Sequence, residues 1–239
     1  MKPLIVANWK MNPQTYKEAE DVFAGIKKGV EGASAEVVIC PPFTWLTDFS
    51  HKNESPISFG AQNVFYEDKG AYTGEISPQM LKSSNVDYVI IGHSERRKYF
   101  NETDEIINKK IKKALEAGLK IIFCIGETAE ERDAGKKNEI LERQIKQGLS
   151  GIVNLENVNI AYEPVWAIGT GNNCSVEQTK EAIDFIRKFV PENTWVLYGG
   201  SVKAENSVSY IKEAGANGLL VGGASLKPDE FIKIVKSVE

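Results

Sequence analysis

Eight short apolar, β-rich runs recur along the chain: Leu4–Ala7, Val37–Cys40, Ile57–Ala61, Tyr88–Gly92, Ile121–Ile125, Val158–Glu163, Trp195–Gly200 and Leu219–Gly223. They are continuous rather than alternating, the pattern of strands covered on both faces as in a parallel sheet. Helical patterns lie between them. Ala19, Val22, Phe23, Ile26 and Val30 form one apolar stripe. Ile107, Ile111, Ala114 and Leu115 form a second, opened by Thr103 with Asp104 and Glu105 in its first turn and stopped by Gly118. Leu141, Ile145, Leu149 and Ile152 make a third; Ile183, Ile186 and Val190 a fourth; Phe231, Ile234, Val235 and Val238 a last. The segments after the second, third and seventh runs are shorter and less periodic. Strand alternating with helix implies parallel βαβ units of the α/β class. Periodicity alone leaves a closed barrel and an open doubly wound sheet both standing, and the count of eight favours the barrel.

The chain has 239 residues, close to the roughly 250 of one eight-unit barrel. No Pro/Ser-rich linker or shift in composition divides residues 1–239, so one catalytic domain is expected. A net charge of -4 provides no field for nucleic acid or anionic lipid, so an anionic ligand must be caught by local groups. Cys40, Cys124 and Cys174 are widely separated, no CxxC occurs and there are only two histidines, which argues against zinc and for a reducing compartment. The first apolar run is too short for a signal peptide and none could span a bilayer, so a cytoplasmic protein is expected.

Residues of unusual character gather just after the strand ends, the face where parallel α/β folds build their sites. Asn8-Trp9-Lys10 follows the first run; there Lys10 is either a solvated charge or part of a site. Gly92-His93-Ser94-Glu95-Arg96-Arg97 follows the fourth. His93 would open a helix, where the dipole and free N–H groups disfavour an imidazolium; a polar capping cluster is the plainer alternative. After the sixth run, one carboxylate, Glu163, leads into Pro164-Val165-Trp166-Ala167-Ile168 and then Gly169-Thr170-Gly171. Bulky apolar residues between a proline and glycines suit a lid, or a loop packed on a neighbour. Glycine pairs end the seventh and eighth runs, at Tyr198-Gly199-Gly200-Ser201 and Val221-Gly222-Gly223-Ala224-Ser225. Each could be a tight turn, but two in succession suit backbone binding of a phosphate. The run Lys109-Lys110-Ile111-Lys112-Lys113 reads as the solvated face of a helix, not a nucleic-acid patch.

With Gly70-Ala71-Tyr72-Thr73-Gly74-Glu75-Ile76-Ser77 and Cys124-Ile125-Gly126-Glu127, these segments resemble the triosephosphate isomerase family from end to end and in order. The stretch before the seventh run is short, and Asn172 stands where the lid often carries a lysine. The resemblance implies a single (β/α)8 TIM barrel that interconverts dihydroxyacetone phosphate and D-glyceraldehyde 3-phosphate through an enediolate, without metal or cofactor. It implies Glu163 as base, His93 as electrophile, Lys10 as charge partner, Asn8 in the pocket and Glu95 orienting Lys10 or the His93 turn. It implies phosphate binding by the backbone of Gly169, Ser201, Gly222 and Gly223, and a homodimer in which Thr73 reaches the partner. The chemistry fits those residue types. The reaction removes a proton beside a carbonyl and returns it one carbon away, and one carboxylate can do both without nicotinamide or metal. The alternatives are a sugar-phosphate-binding barrel that has lost its chemistry, and a different phosphate-handling barrel isomerase.

Overall fold

The computed structural model describes residues 2–168 and 173–238. Its eight strands form a closed barrel in chain order: β1 (Leu4–Asn8), β2 (Glu36–Cys40), β3 (Ser58–Ala61), β4 (Tyr88–Ile91), β5 (Lys120–Ile125), β6 (Val158–Tyr162), β7 (Val196–Tyr198) and β8 (Gly218–Val221). Every neighbouring pair is parallel, and Leu4 pairs with both Glu36 and Gly218 to close the ring. The expected runs match these strands to within a few residues. The differences carry information: Gly92, Glu163, the Gly199-Gly200 pair and the Gly222-Gly223 pair all fall just beyond a strand, whereas Asn8 is the last residue inside one.

The continuous apolar runs follow from burial on both faces. Leu4 and Val6 join Val38, Ile90, Ile122, Ala161, Leu197 and Leu220 inside the barrel. Ile5 and Ala7, one residue over, join the shell between strands and helices. Successive side chains of a strand point to opposite faces, so neither face can be polar.

The helices are α1 (Tyr16–Gly29), α2 (Phe43–His51), α3 (Pro78–Ser83), α4 (Ser94–Phe100), α5 (Asp104–Glu116), α6 (Ala129–Asp133), α7 (Lys137–Gly148), α8 (Val176–Ile186), α9 (Ser207–Lys212) and α10 (Pro228–Ser237). Thr103 caps α5 as expected, its hydroxyl accepting from Ile106 N at 3.3 Å. The less periodic segments after β2, β3 and β7 do hold helices, and α3 and α9 are only 6 residues each, too short to show a stripe. Leu149, Ile152 and Val190 lie past the ends of their helices, because α7 stops at Gly148 and α8 at Ile186.

One expectation is overturned. Lys110 is not on the solvated face of α5: it is 3% exposed, 2.5 Å from Glu102 Oε1 and 2.7 Å from Asn63 Oδ1. It lies three residues after Ile107 and four before Ala114, so helical geometry turns it inward with them. Burial pushes its ammonium below the usual lysine range, while the Glu102 carboxylate opposes that shift.

Candidate active site

At the C-terminal mouth of the barrel a cavity of about 480 Å³ brings together Asn8, Lys10, His93, Glu163, Ser201, Gly222 and Gly223. These residues come from the ends of five different strands and the loops after them, so only the closed barrel makes them neighbours. A larger cleft of about 920 Å³ lies on the other side of Glu163, lined by the Arg97–Asp104–Arg143 cluster and α6. The reacting types converge only in the smaller cavity.

Glu163 stands one residue past β6 and is 2% exposed. Its backbone N–H donates to Ile125 O at 2.7 Å, and one carboxylate oxygen, Oε2, accepts from Ser94 N at 2.9 Å. The other, Oε1, lies 3.0 Å from His93 Nε2 but makes no hydrogen bond to it or to any other of the described residues. A buried carboxylate oxygen left without a donor is costly, and it keeps its capacity to accept a proton. Gly126 makes this placement possible: a Cβ there would sit 1.7 Å from Glu163 O. Beside Glu163, burial holds the Cys124 thiol well above its ordinary range and the nearby carboxylate adds to that, so Cys124 is a neutral packing group.

His93 is the N-cap of α4, and its Nδ1 accepts from Glu95 N at 3.2 Å. A ring nitrogen that accepts cannot carry the proton, which leaves the N–H on Nε2, facing the cavity side where Glu163 lies. Glu95 also holds Lys10, with 2.5 Å between Oε1 and Nζ. It therefore touches both the lysine and the His93 turn, from outside the cavity.

Lys10 has a left-handed backbone, φ 55. For a residue with a Cβ this costs about 1–2 kcal/mol. The turn is fixed by Lys10 N donating to Asn8 Oδ1 at 3.0 Å, and by Gln62 Nε2 donating to Lys10 O at 2.8 Å and Cys40 O at 2.9 Å. Strain restrained from both sides is characteristic of a residue aimed at a site.

Across the cavity, Gly223 opens a short 3₁₀ turn, Gly223–Leu226. Buried Ser225 donates from N and Oγ to Gly222 O at 2.8 and 2.7 Å, which fixes the turn. A Cβ on Gly223 would meet nothing within 4 Å, so packing does not demand a glycine there. The bare backbone leaves room for a ligand. Ser201 Oγ donates to Ala167 O at 2.9 Å, joining the β7 loop to the lid segment. That segment is half-buried rather than exposed: Trp166 Nε1 donates to Glu127 Oε1 at 2.9 Å, and Tyr162 OH shares the same oxygen at 3.1 Å.

Of the residues singled out in the sequence, Gly169 lies outside the described residues, as do Thr170, Gly171 and Asn172. Thr73 is exposed on the β3–α3 segment and does not line the cavity. The sequence reading missed Gln62, Ser94, Gly126 and Glu127 as supports. Ser94, Gly126 and Glu127 sit inside quoted motifs. Gln62 gave no local signal, because its partner Lys10 is 52 positions away. Among the described residues no cluster of His, Cys, Asp and Glu could hold a metal ion, and no helix is long and apolar enough to cross a membrane.

The triosephosphate isomerase family model matches residues 3–238. A triosephosphate isomerase of Thermodesulfovibrio yellowstonii is 51% identical over 246 aligned positions, covering 98% of this chain and 99% of its own. One from Dictyoglomus thermophilum is 49% identical over 250, covering 99% of both chains. One from Aquifex aeolicus is 48% identical over 247, covering 99% of this chain and all of its own. With barrel and family model agreeing over nearly the whole length, the chain belongs to the triosephosphate isomerase family.

Proposed function

We propose that Glu163, His93 and Lys10 carry out the interconversion of dihydroxyacetone phosphate and D-glyceraldehyde 3-phosphate, with residues 1–239 acting as one catalytic domain. The enzyme is a triose-phosphate isomerase, and the observation that supports these residue roles is the buried, unpartnered Glu163 Oε1 beside His93 Nε2. Glu163 takes a proton from C1 of the ketose. The C–H electrons form the C1–C2 double bond and charge moves to the carbonyl oxygen. The Nε2–H of His93 stabilises that oxygen and relays a proton between the two oxygens, while Lys10 offsets the charge. Glu163 then returns its proton to C2. Asn8 and Glu95 hold Lys10 and the His93 turn in place.

The backbone of Ser201, Gly222 and Gly223, with Gly169 from the lid, would bind the phosphate. Each hydrogen bond to the charged group is worth roughly 1.5–3 kcal/mol, enough together to offset ordering a short lid. Pre-formed donors that act only when charge develops are the efficient use of binding energy. No membrane-spanning or nucleic-acid role is needed for this chemistry. We place the enzyme in the cytoplasm, in glycolysis and gluconeogenesis, as a homodimer with Thr73 at the interface.

The test is a coupled assay supplied with dihydroxyacetone phosphate. The wild-type chain should turn it over. Glu163→Gln should lose on the order of 10²–10⁴ in kcat, the usual contribution of a general base, while still binding a phosphate-bearing inhibitor. A folded wild-type chain that binds the inhibitor without turnover would establish the catalytically silent barrel instead.

A further inference from the structure

The lid's first residues rest on a part of the molecule outside the reacting set. Glu127 and α6 form one short segment, made rigid by a capping box in which Thr128 Oγ1 accepts from Glu131 N at 3.2 Å and Glu131 Oε2 accepts from Thr128 N at 2.9 Å. This segment meets the lid at three points. Glu127 O accepts from Val165 N at 3.1 Å, and Glu127 Oε1 accepts from Trp166 Nε1 at 2.9 Å. The third is the face of the indole, where the Arg132 guanidinium lies 3.8 Å from the ring centroid. Among the described residues Arg132 forms no ion pair that would compete for it. A cavity of about 260 Å³ beside the ring, lined by Tyr162, Cys174 and Gln178 as well, leaves the indole space to swing away when not held.

We infer that Arg132 is a positioning residue for the isomerisation, holding Trp166 by its face so that the lid stem docks over the site. The bond to Glu127 fixes the indole at its edge, and a planar cation stacked on the face, attracted by the ring's quadrupole, resists tilting of the ring about that edge. Arg132 does not line the cavity that holds Glu163 and His93 and touches neither group, so it acts only on how the lid is seated.

The inference rests on the proposed isomerase site, and the experiment separates the two. Wild type, Arg132→Ala and Arg132→Lys are assayed with dihydroxyacetone phosphate and with glyceraldehyde, the phosphate-free substrate that gives the lid nothing to close upon. For an exposed cation–π pair, Arg132→Ala should lower kcat on the phosphorylated substrate about two- to five-fold. Arg132→Lys, which keeps a cation over the ring, should recover part of the loss. Turnover of glyceraldehyde should be unchanged in all three, and so should the melting temperature. Equal kcat for wild type and Arg132→Ala on the phosphorylated substrate overturns the inference. So does an equal loss on both substrates, which would make Arg132 a general structural support. An inactive wild type would overturn the site assignment itself.

Discussion

Lys110 and Glu102 show how a single residue can be misjudged from its neighbours in sequence and corrected by geometry. Four lysines surround Ile111, and composition there suggests a solvated face. Spacing says otherwise for one of them, because Lys110 shares the stripe of Ile107, Ile111 and Ala114. Its burial is tolerated because Glu102, itself 7% exposed, accepts from both Lys110 Nζ at 2.5 Å and Arg96 Nε at 2.6 Å. Removing the shared carboxylate would strand two cations, one of them buried. Glu102→Leu should therefore destabilise the fold by about 3–5 kcal/mol, and Lys110→Met added to it should restore part of the loss. Denaturant unfolding at one fixed protein concentration measures both. A cost below about 1 kcal/mol would mean that the cluster is solvated, as an ordinary surface pair is. The candidate site residues stand out for a different reason: His93 directly follows one apolar run, Glu163 ends another and Lys10 lies three residues past a third. Gln62, which restrains the Lys10 turn, does not, since its carbonyl acceptors on Lys10 and Cys40 are far from it in sequence.

Among the elements, those with a full apolar stripe could be read and the short ones could not. α1 and α5 declare themselves over several turns, whereas α3, α4, α6 and α9 are one or two turns long, set by caps and by packing on the barrel. The segment between β3 and α3 has no periodicity at all. Its apolar load is organised by its own rings: Phe65 stacks on Tyr66 at 4.2 Å between centroids and meets Tyr72 at 4.8 Å. Phe65 N bonds to Ile76 O at 2.8 Å and joins the two stems. Tyr72 remains 43% exposed beside exposed Thr73, so the segment ends in a preformed apolar prong that no other described residue covers at its tip. We expect the parent chain to sediment as a dimer at micromolar concentration, and the double variant Tyr72→Asp, Thr73→Arg to sediment as a monomer with reduced kcat. A parent that is monomeric and fully active would contradict the proposed interface.

At the scale of the whole molecule, the barrel's closure does what no local motif can. It sets the ends of β1, β4, β6, β7 and β8 around one cavity, so that a carboxylate, an imidazole, a lysine ammonium and a glycine turn share one space of about 480 Å³. The same closure puts Glu163 on one side of that space only, backed by Gly126 and Ser94. One carboxylate on one face should exchange one hydrogen and spare its geminal neighbour. The direct measurement is proton NMR of dihydroxyacetone phosphate incubated with the enzyme in deuterium oxide. Deuterium should enter a single stereochemical position at C1, and Glu163→Gln should slow that exchange by about 10²–10⁴-fold while remaining folded. Exchange at both C1 positions, or exchange in Glu163→Gln at the wild-type rate, would contradict a single-base mechanism at this site.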